Sequence, residues 1–169
     1  ISSSNTIAGG SPNNGFCVIK LGMINGNSLA SVGVALSETW DCKIEIAAIY
    51  NTVNVGFFAS GGNTNVANND ISIGAVSGVS AGNAILLQTP SNDLTWNVQG
   101  NHFHIGQVIG SGNSGIVVGI GAFANIFDVG PVEHNSYFGC YDISGGVGTF
   151  ANIWRANGAN TNGWAGGPC

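Results

Sequence analysis

The chain has 169 residues, a length typical of one domain, and charged residues form only 7% of it, against about 25% in an ordinary soluble domain. A hydrophobic fraction of 44% argues against intrinsic disorder, because disordered chains are poor in apolar residues and rich in net charge. Three basic residues cannot neutralise a run of phosphates, so we expect no nucleic acid as a partner. With so few charges, the surface must consist largely of Gly, Asn, Ser and Thr.

Alternating hydrophobic and polar residues predict strands along nearly the whole chain, and helical spacing is almost absent. In chain order the alternating segments cover residues 16–24, 40–50, 53–60, 70–76, 84–89, 94–99, 102–109, 115–127, 136–143 and 147–154. In the clearest of them, Trp40, Cys42, Ile44, Ile46, Ala48 and Tyr50 fall on one face of the strand, while Asp41, Lys43 and Glu45 fall on the other. About ten short strands at turn-sized intervals predict an all-β fold, an antiparallel β-sandwich or a jelly-roll-like barrel.

Two internal repeats accompany this pattern. Residues 119–127 match residues 146–154 at an offset of 27, and residues 26–34 match residues 112–120 at an offset of 86. The first repeat is long enough to represent two strands in equivalent positions of adjoining units. The alternative is coincidence in a chain rich in Gly, Ala, Asn and Ile.

We expect a single β-rich domain over residues 1–169, with residues 1–12 as an extended arm and residues 157–169 as a tail rich in Gly and Asn. The start Ile-Ser-Ser-Ser-Asn-Thr favours a mature end left by removal of a signal peptide, and hence an extracellular or cell-surface protein. The most apolar stretch, residues 115–127, is shorter than the roughly 20 residues that cross a bilayer, so we expect no membrane span.

Four cysteines allow three fully paired connectivities. Two of them lie near the start of the chain and two near its end, so the local disulfides Cys17–Cys42 and Cys140–Cys169 are the first expectation. A zinc site is disfavoured because no Cys-x-x-Cys pair occurs. An intermolecular bridge through Cys169 remains the alternative, since this residue follows a Gly-Gly-Pro lead.

Three histidines form the one candidate metal site. His102 and His104 are two residues apart on a predicted strand and therefore share a face, and His134 would supply a third ligand from a turn. Neutral imidazoles at this spacing can bind zinc and leave one position open for water. The alternative is that His102 and His104 are polar residues on the exposed face of a strand, and we expect no cofactor.

Carboxylates give little support for glycoside hydrolysis, which needs two of them facing each other across a cleft. Glu38, Asp41 and Glu45 cluster at one strand, but Lys43 lies between the last two on the same face, so a row of ion pairs is the preferred interpretation. No Gly-x-Ser-x-Gly motif occurs either. We therefore name no catalytic residue and do not expect an enzyme, with a glycosidase or a histidine metalloenzyme as the third hypothesis.

Carbohydrate binding is the second hypothesis, because tryptophan side chains can stack on sugar rings and single acids in Asn-rich loops can hold hydroxyls or calcium. The candidates are Trp154, Trp164 and Asp70. Extracellular glycans would then be the partners.

Self-assembly is the leading hypothesis. Sheet edges are normally protected by Lys, Pro or charge, and this chain has few such residues. We expect an extracellular structural protein whose copies join through sheet edges and uncharged faces into a filament, sheath or surface layer. The arm at the start of the chain, with Ile1 and Ile7, is the candidate segment to be lent to a neighbouring copy.

Overall fold

The computed structural model describes residues 5–8, 17–61, 65–89, 97–144, 151–156 and 162, and the regular elements within them are β-strands. In chain order these are β1 (Asn5–Ala8), β2 (Val18–Asn25), β3 (Val32–Ser37), β4 (Lys43–Tyr50), β5 (Val55–Ala59), β6 (Val66–Ala67), β7 (Asp70–Val79), β8 (Asn83–Leu87), β9 (Val98–Gln99), β10 (His102–Ser111), β11 (Ile116–Val118), β12 (Ala122–Phe123), β13 (Ile126–Val129), β14 (Val132–Glu133), β15 (Cys140–Asp142) and β16 (Ile153–Ala156). No helix among the described residues is long and apolar enough to cross a membrane.

The strands form three parallel sheets that the chain visits in rotation. Sheet I has the order β2-β4-β7-β10-β13-β16, with β14 beside β10, and sheet II has the order β1-β3-β5-β8-β11-β15. Sheet III contains β6, β9 and β12, and a single bridge between Trp40 and Ala67 extends it. Each passage through the three sheets is one turn of a coil, so the fold is a β-solenoid of about five turns.

The expectation of an antiparallel sandwich or jelly-roll-like barrel is therefore wrong. Alternation reports that a segment is a strand with one buried face, but it carries no information on the direction of the neighbouring strand. Parallel neighbours need a long crossover connection, usually a helix. Here the crossover is made by the strands of the other two sheets, so a helix-free chain still forms parallel sheets throughout its described part.

A ladder of asparagines, the first three of them buried, links successive turns at the corner before sheet I. We call Asn69, Asn101, Asn125 and Asn152 the asparagine ladder; its members are spaced 32, 24 and 27 residues apart. The side-chain oxygen of each later asparagine accepts hydrogen bonds from the backbone N–H and the side-chain amide of the preceding one, over 2.9 to 3.1 Å. Cys42 occupies the equivalent place one turn earlier, where its N–H donates to Asn69 Oδ1.

The second amide hydrogen of each ladder asparagine donates to a backbone carbonyl one turn earlier, over 2.9 to 3.0 Å. All four hydrogen-bonding positions of Asn101 and Asn125 are thereby filled, so these polar side chains are buried without an unsatisfied group. Residues in the left-handed region precede the ladder positions, with φ of 55° at Asn68, 64° at Gly100 and 54° at Ala124. The same turn therefore recurs in each coil.

A shorter ladder of the same kind marks the other end of sheet I. Asn135 Oδ1 accepts from the N–H of Ser111 at 3.0 Å and from its hydroxyl at 2.7 Å. Asn135 in turn donates its side-chain amide to Asn162 Oδ1 at 2.7 Å. Together the two ladders fix both ends of the strands that sheet I contributes to successive turns.

Stacked side chains fill the interior along the axis of the coil. Phe103 and Phe127 lie 5.0 Å apart with nearly parallel rings, and Trp154 stacks on Phe127 at 4.2 Å. Phe127 and Trp154 are also backbone partners across β13 and β16. Phe127 is the last residue of the first copy of the 27-residue repeat, and Trp154 is the last residue of the second. The repeat is therefore one turn of the solenoid, which confirms the expectation of equivalent strands in adjoining units.

The alternation of sheet I breaks once in every turn. Along β4, Ile44 and Ile46 face the core as predicted, but the next buried residue is Ile49, so the prediction for Ala48 and Tyr50 was wrong. The break lies beside Gly74 and Gly106, where an added Cβ would approach a backbone oxygen of the neighbouring turn to 2.3 Å in each case. Glycine at these two positions avoids that clash, so the close approach of the turns at the break requires it.

The disulfide Cys17–Cys42 forms as expected and closes the start of the described coil. Cys140, on β15, is also disulfide-bonded. Its expected partner Cys169 lies outside the described residues, as do most of the expected arm and tail.

The asparagine ladder predicts a large effect of one substitution. Asn101→Ala removes the oxygen that accepts hydrogen bonds from the backbone N–H and the side-chain amide of Asn69, and it leaves the Val66 carbonyl without its side-chain donor. Because each buried unsatisfied group costs about 1–3 kcal/mol, the free energy of unfolding should fall by roughly 3 to 5 kcal/mol. Urea unfolding followed by circular dichroism measures this loss.

The matched control is Gln107→Ala, since Gln107 is exposed on β10, the strand that follows Asn101. Its effect should stay within about 0.5 kcal/mol, as for ordinary surface substitutions. An Asn101→Ala protein as stable as this control would contradict the role given to the ladder.

Candidate functional site

His102 and His104 lie together on the outer face of sheet I. Both are on β10, immediately after ladder residue Asn101, and their rings have centroids 3.9 Å apart. Residues two apart in a strand point to the same side, so the buried Phe103 between them fixes both imidazoles outward. The prediction that these two histidines share a face is confirmed.

Two aspartates, one from the turn on each side of β10, contact the pair of histidines. Asp128 on β13 places its Oδ2 atom 2.6 Å from His102 Nε2 and 3.4 Å from His104 Nδ1. Asp70 on β7 places its Oδ1 atom 3.2 Å from His104 Nε2. The two histidines and Asp128 offer ligand atoms that all lie within 4.8 Å of one another.

Asp128 is held as a carboxylate by its surroundings. The hydrogen bond from His102 is the main cause that lowers the pKa of Asp128 below its usual value, and the charges of His102 and Arg155 add to it. Arg155 Nη1 lies 3.4 Å from the other carboxylate oxygen, Oδ1. Oδ2 is thereby left facing the two imidazoles.

Sequence reasoning missed Asp128, and the 27-residue repeat does not pair it with the histidines. Asp128 is the backbone partner of His104, one turn later in the coil, and it directly follows the first copy of that repeat. An offset of 27 residues relates Asp128 to Arg155, its partner on β16, whereas His104 lies 24 residues before it. The antiparallel fold that we expected gave no such neighbour.

The structure places His134 away from this cluster. Glu133 pairs with Ile109, five positions beyond His104 along β10, so His134 lies roughly 17–20 Å farther along the sheet. His134 has a φ of 56° and precedes Asn135, which makes it the left-handed residue of the second ladder corner. Histidine is one of the non-glycine residues that tolerate this conformation. Its neighbour Glu133 approaches it only to 4.0 Å.

The three acidic residues that cluster in the sequence, Glu38, Asp41 and Glu45, have different roles in the structure. Glu45 bonds Lys20 at 2.8 Å and Lys43 at 3.1 Å, which agrees with the predicted row of ion pairs. The Lys20 hydrogen bond, followed by that of Lys43, lowers the pKa of Glu45 below its usual value. Glu38 and Asp41 are turn residues with φ of 55° and 50°.

The tryptophan candidates for sugar binding are placed less favourably than expected. Trp154 has one ring face covered by Phe127, and its Nε1–H donates to Asp142 at 3.1 Å. Asp70 is exposed but contacts His104. Trp164 lies outside the described residues.

An aromatic patch on the outside of sheet II was not predicted. It consists of Tyr137, Phe138 and Tyr141, and the rings of the last two stack at 4.8 Å. The patch borders a depression of about 250 Å³ that is also lined by Asn83 and Asn113. Its three members lie within five consecutive residues of the chain, and the depression beside them is completed by Asn83 and Asn113 from neighbouring turns.

Exposed apolar side chains concentrate at the two ends of the described coil. Among the described residues eight large hydrophobic side chains are exposed, and Ile120 is the one that lies in neither end turn. The N-terminal end surface consists of Val18, Met23 and Leu29, and the C-terminal end surface consists of Tyr137, Tyr141, Ile143 and Ile153.

The arm residues proposed for assembly are only partly described. Ile7 lies in β1, whose backbone pairs with β3 of the same chain through the partner Leu36. Strand β1 therefore lies at the N-terminal edge of sheet II. Ile1 lies outside the described residues.

No protein-family model, curated protein or solved structure matches this chain. Its function is therefore inferred from the geometry and chemistry of its surfaces.

The ion pairs of Glu45 with two lysines predict how the stability of the protein changes in acid. Because the folded-state pKa of Glu45 is lowered, its contribution to stability is complete above the ordinary value of 4.5 and is lost as pH falls through the folded-state pKa. Glu45→Gln should therefore be less stable than the native protein at neutral pH, and the difference should vanish in strong acid. Thermal unfolding across this pH range measures it.

Lys20→Met provides the matched comparison, since it removes the largest cause of the lowered pKa but keeps the carboxylate. It should reproduce part of the neutral-pH loss. A constant difference between Glu45→Gln and the native protein at all pH values would contradict this account.

Proposed function

We propose that this protein is an extracellular structural protein whose copies join end to end through the terminal turns of the solenoid. The observation that carries this proposal is the concentration of exposed apolar side chains at the two ends of the coil. Met23 is 74% exposed at one end and Ile153 is 50% exposed at the other. Burying both surfaces against each other would gain roughly 25 cal/mol for each Å² of apolar area removed from water.

Strand geometry supports the same contact. Each parallel sheet grows by adding one strand per turn, so the turn of a second copy can extend a sheet in the way that successive turns already do. Within the described residues, β2 and β16 each have one neighbour in sheet I. Solenoid ends need polar capping turns to stay soluble alone, and the first and last described turns carry exposed apolar side chains.

Charge offers little opposition to such a contact. The basic residue at each end is already paired, Lys20 with Glu45 at 2.8 Å and Arg155 with Asp128 at 3.4 Å. The N-terminal end surface of one copy would meet the C-terminal end surface of the next. A contact between two different surfaces repeats without closing, so it produces a filament.

The disulfide Cys17–Cys42 supports an extracellular setting, because disulfides persist in oxidising compartments and are rare in the cytosol. A sheath or surface layer would follow if filaments also associate side by side through the uncharged faces.

Two substitutions test the end-to-end contact. Met23→Lys blocks the N-terminal end surface and Ile153→Lys blocks the C-terminal end surface, because a buried unpaired charge is strongly unfavourable. The native protein should form polymers in light scattering and electron microscopy, and each variant alone should be monomeric. An equal mixture of the two variants should stop at dimers, since each retains the surface that the other lacks.

Ile120→Lys is the matched control, because Ile120 is 45% exposed but lies in neither end turn. This variant should polymerise like the native protein. A native protein that remains monomeric at all concentrations, or a control that fails as the end variants do, would overturn the proposal.

Carbohydrate binding is the second candidate function, favoured by the aromatic patch. Stacked aromatic rings beside asparagine amides are suited to the apolar face and the hydroxyls of a sugar. The depression of about 250 Å³ provides the concave surface, with Asn83 and Asn113 at its border. The patch gives no support for calcium-dependent sugar binding, since none of the residues that line the depression is acidic.

A glycan array tests this second candidate. If the patch binds sugar, Tyr141→Ala should weaken binding by roughly tenfold or more, because an aromatic anchor commonly contributes more than about 1 kcal/mol. Ile120→Ala should leave binding unchanged. Absence of any bound glycan, or equal binding by the Tyr141→Ala variant, would reject it.

A further inference from the structure

We propose that His102, His104 and Asp128 form a binding site for one zinc ion, with Asp70 as a supporting carboxylate that orients His104. This site is independent of the end-to-end contact and of the aromatic patch. It differs from the three-histidine alternative that the sequence offered, because Asp128 takes the place given to His134.

The spacing of the donor atoms fits a tetrahedral ion. Zinc bonds of about 2.0–2.1 Å place two ligands about 3.3 Å apart in a tetrahedron. The distance between His104 Nδ1 and Asp128 Oδ2 is already 3.4 Å. His102 Nε2 lies closer to the same oxygen, at 2.6 Å, and a small rotation of the half-exposed Asp128 side chain opens this gap.

Asp70 provides a second and independent observation. Metal-bound histidines usually donate their other ring N–H to a carboxylate, which fixes the tautomer and directs the lone pair to the metal. His104 Nε2 lies 3.2 Å from Asp70 Oδ1, on the side away from Asp128. A proton on Nε2 leaves the Nδ1 lone pair directed at the proposed ion.

Arg155 contributes in a similar way to the carboxylate ligand. Its contact with Asp128 Oδ1 occupies one oxygen and leaves Oδ2 for the ion. Asp70 and Asp128 bring two carboxylates to the histidine pair, and Arg155 contacts only one of them, which suits the pair to a cation.

The donor set selects the class of metal. Two imidazoles and one carboxylate suit zinc and related transition ions, whereas calcium and magnesium prefer oxygen ligands throughout. His102 is 35% exposed and Asp128 is 34% exposed, so the ion can enter from solvent and a water can complete the tetrahedron. The asparagine ladder at the start of β7, β10 and β13 holds the three strands in the register that the site needs.

Isothermal titration of the untagged, full-length protein with zinc chloride tests the site, and cobalt chloride provides an absorption spectrum sensitive to tetrahedral geometry. The expected result is one equivalent of zinc and a tetrahedral cobalt spectrum. His104→Gln and Asp128→Asn should each weaken zinc binding on the order of 100-fold, and Asp70→Asn by about 10- to 100-fold. Circular dichroism confirms that each variant remains folded.

His134→Gln is the matched control, because His134 lies outside the cluster and should not affect the titration. Zinc should also raise the melting temperature of the native protein but not that of His104→Gln. Failure to bind zinc, or binding that persists in His104→Gln and Asp128→Asn, would overturn the proposal. Normal binding by Asp70→Asn would overturn the supporting role of Asp70.

Discussion

Buried asparagines hold the turns of this protein in one register. A slip of one residue between parallel strands would turn every inward side chain outward, so a fold with a stacked interior needs a strong register signal. The ladder from Asn69 to Asn152 supplies it, because each rung satisfies its own polar atoms only when the next rung lies directly beside it. The stacking of Phe103, Phe127 and Trp154 and the outer contacts of His102 with Asp128 both depend on that alignment.

Sequence reasoning identified local structure better than long-range arrangement. The alternation around Ile44 and Ile46, the pairing of Cys17 with Cys42 and the shared face of His102 and His104 follow from residue spacing alone. The direction of neighbouring strands does not, since the same alternation serves parallel and antiparallel sheets. The 27-residue repeat spans one turn and relates Phe127 to Trp154, but His104 and Asp128 are 24 residues apart, so a constant period does not place them side by side.

Low charge and the solenoid architecture act together. A coil of parallel strands has two ends that differ in chemistry, and in the described turns these ends carry Met23 on one side and Ile153 on the other. On the outer face of sheet I, ion pairs run across turns between Lys20 and Glu45 and between Arg155 and Asp128. The proposed growth direction is along the axis of the coil.

The asparagine ladder can be tested most directly by hydrogen exchange, resolved by nuclear magnetic resonance for the side-chain amides of Asn101 and Asn125. The account predicts that these hydrogens exchange only on global unfolding, as slowly as the backbone amides of buried residues such as Phe103. Exchange as fast as that of the exposed Gln107 side chain would show that the ladder does not hold the turns together, and would contradict the account.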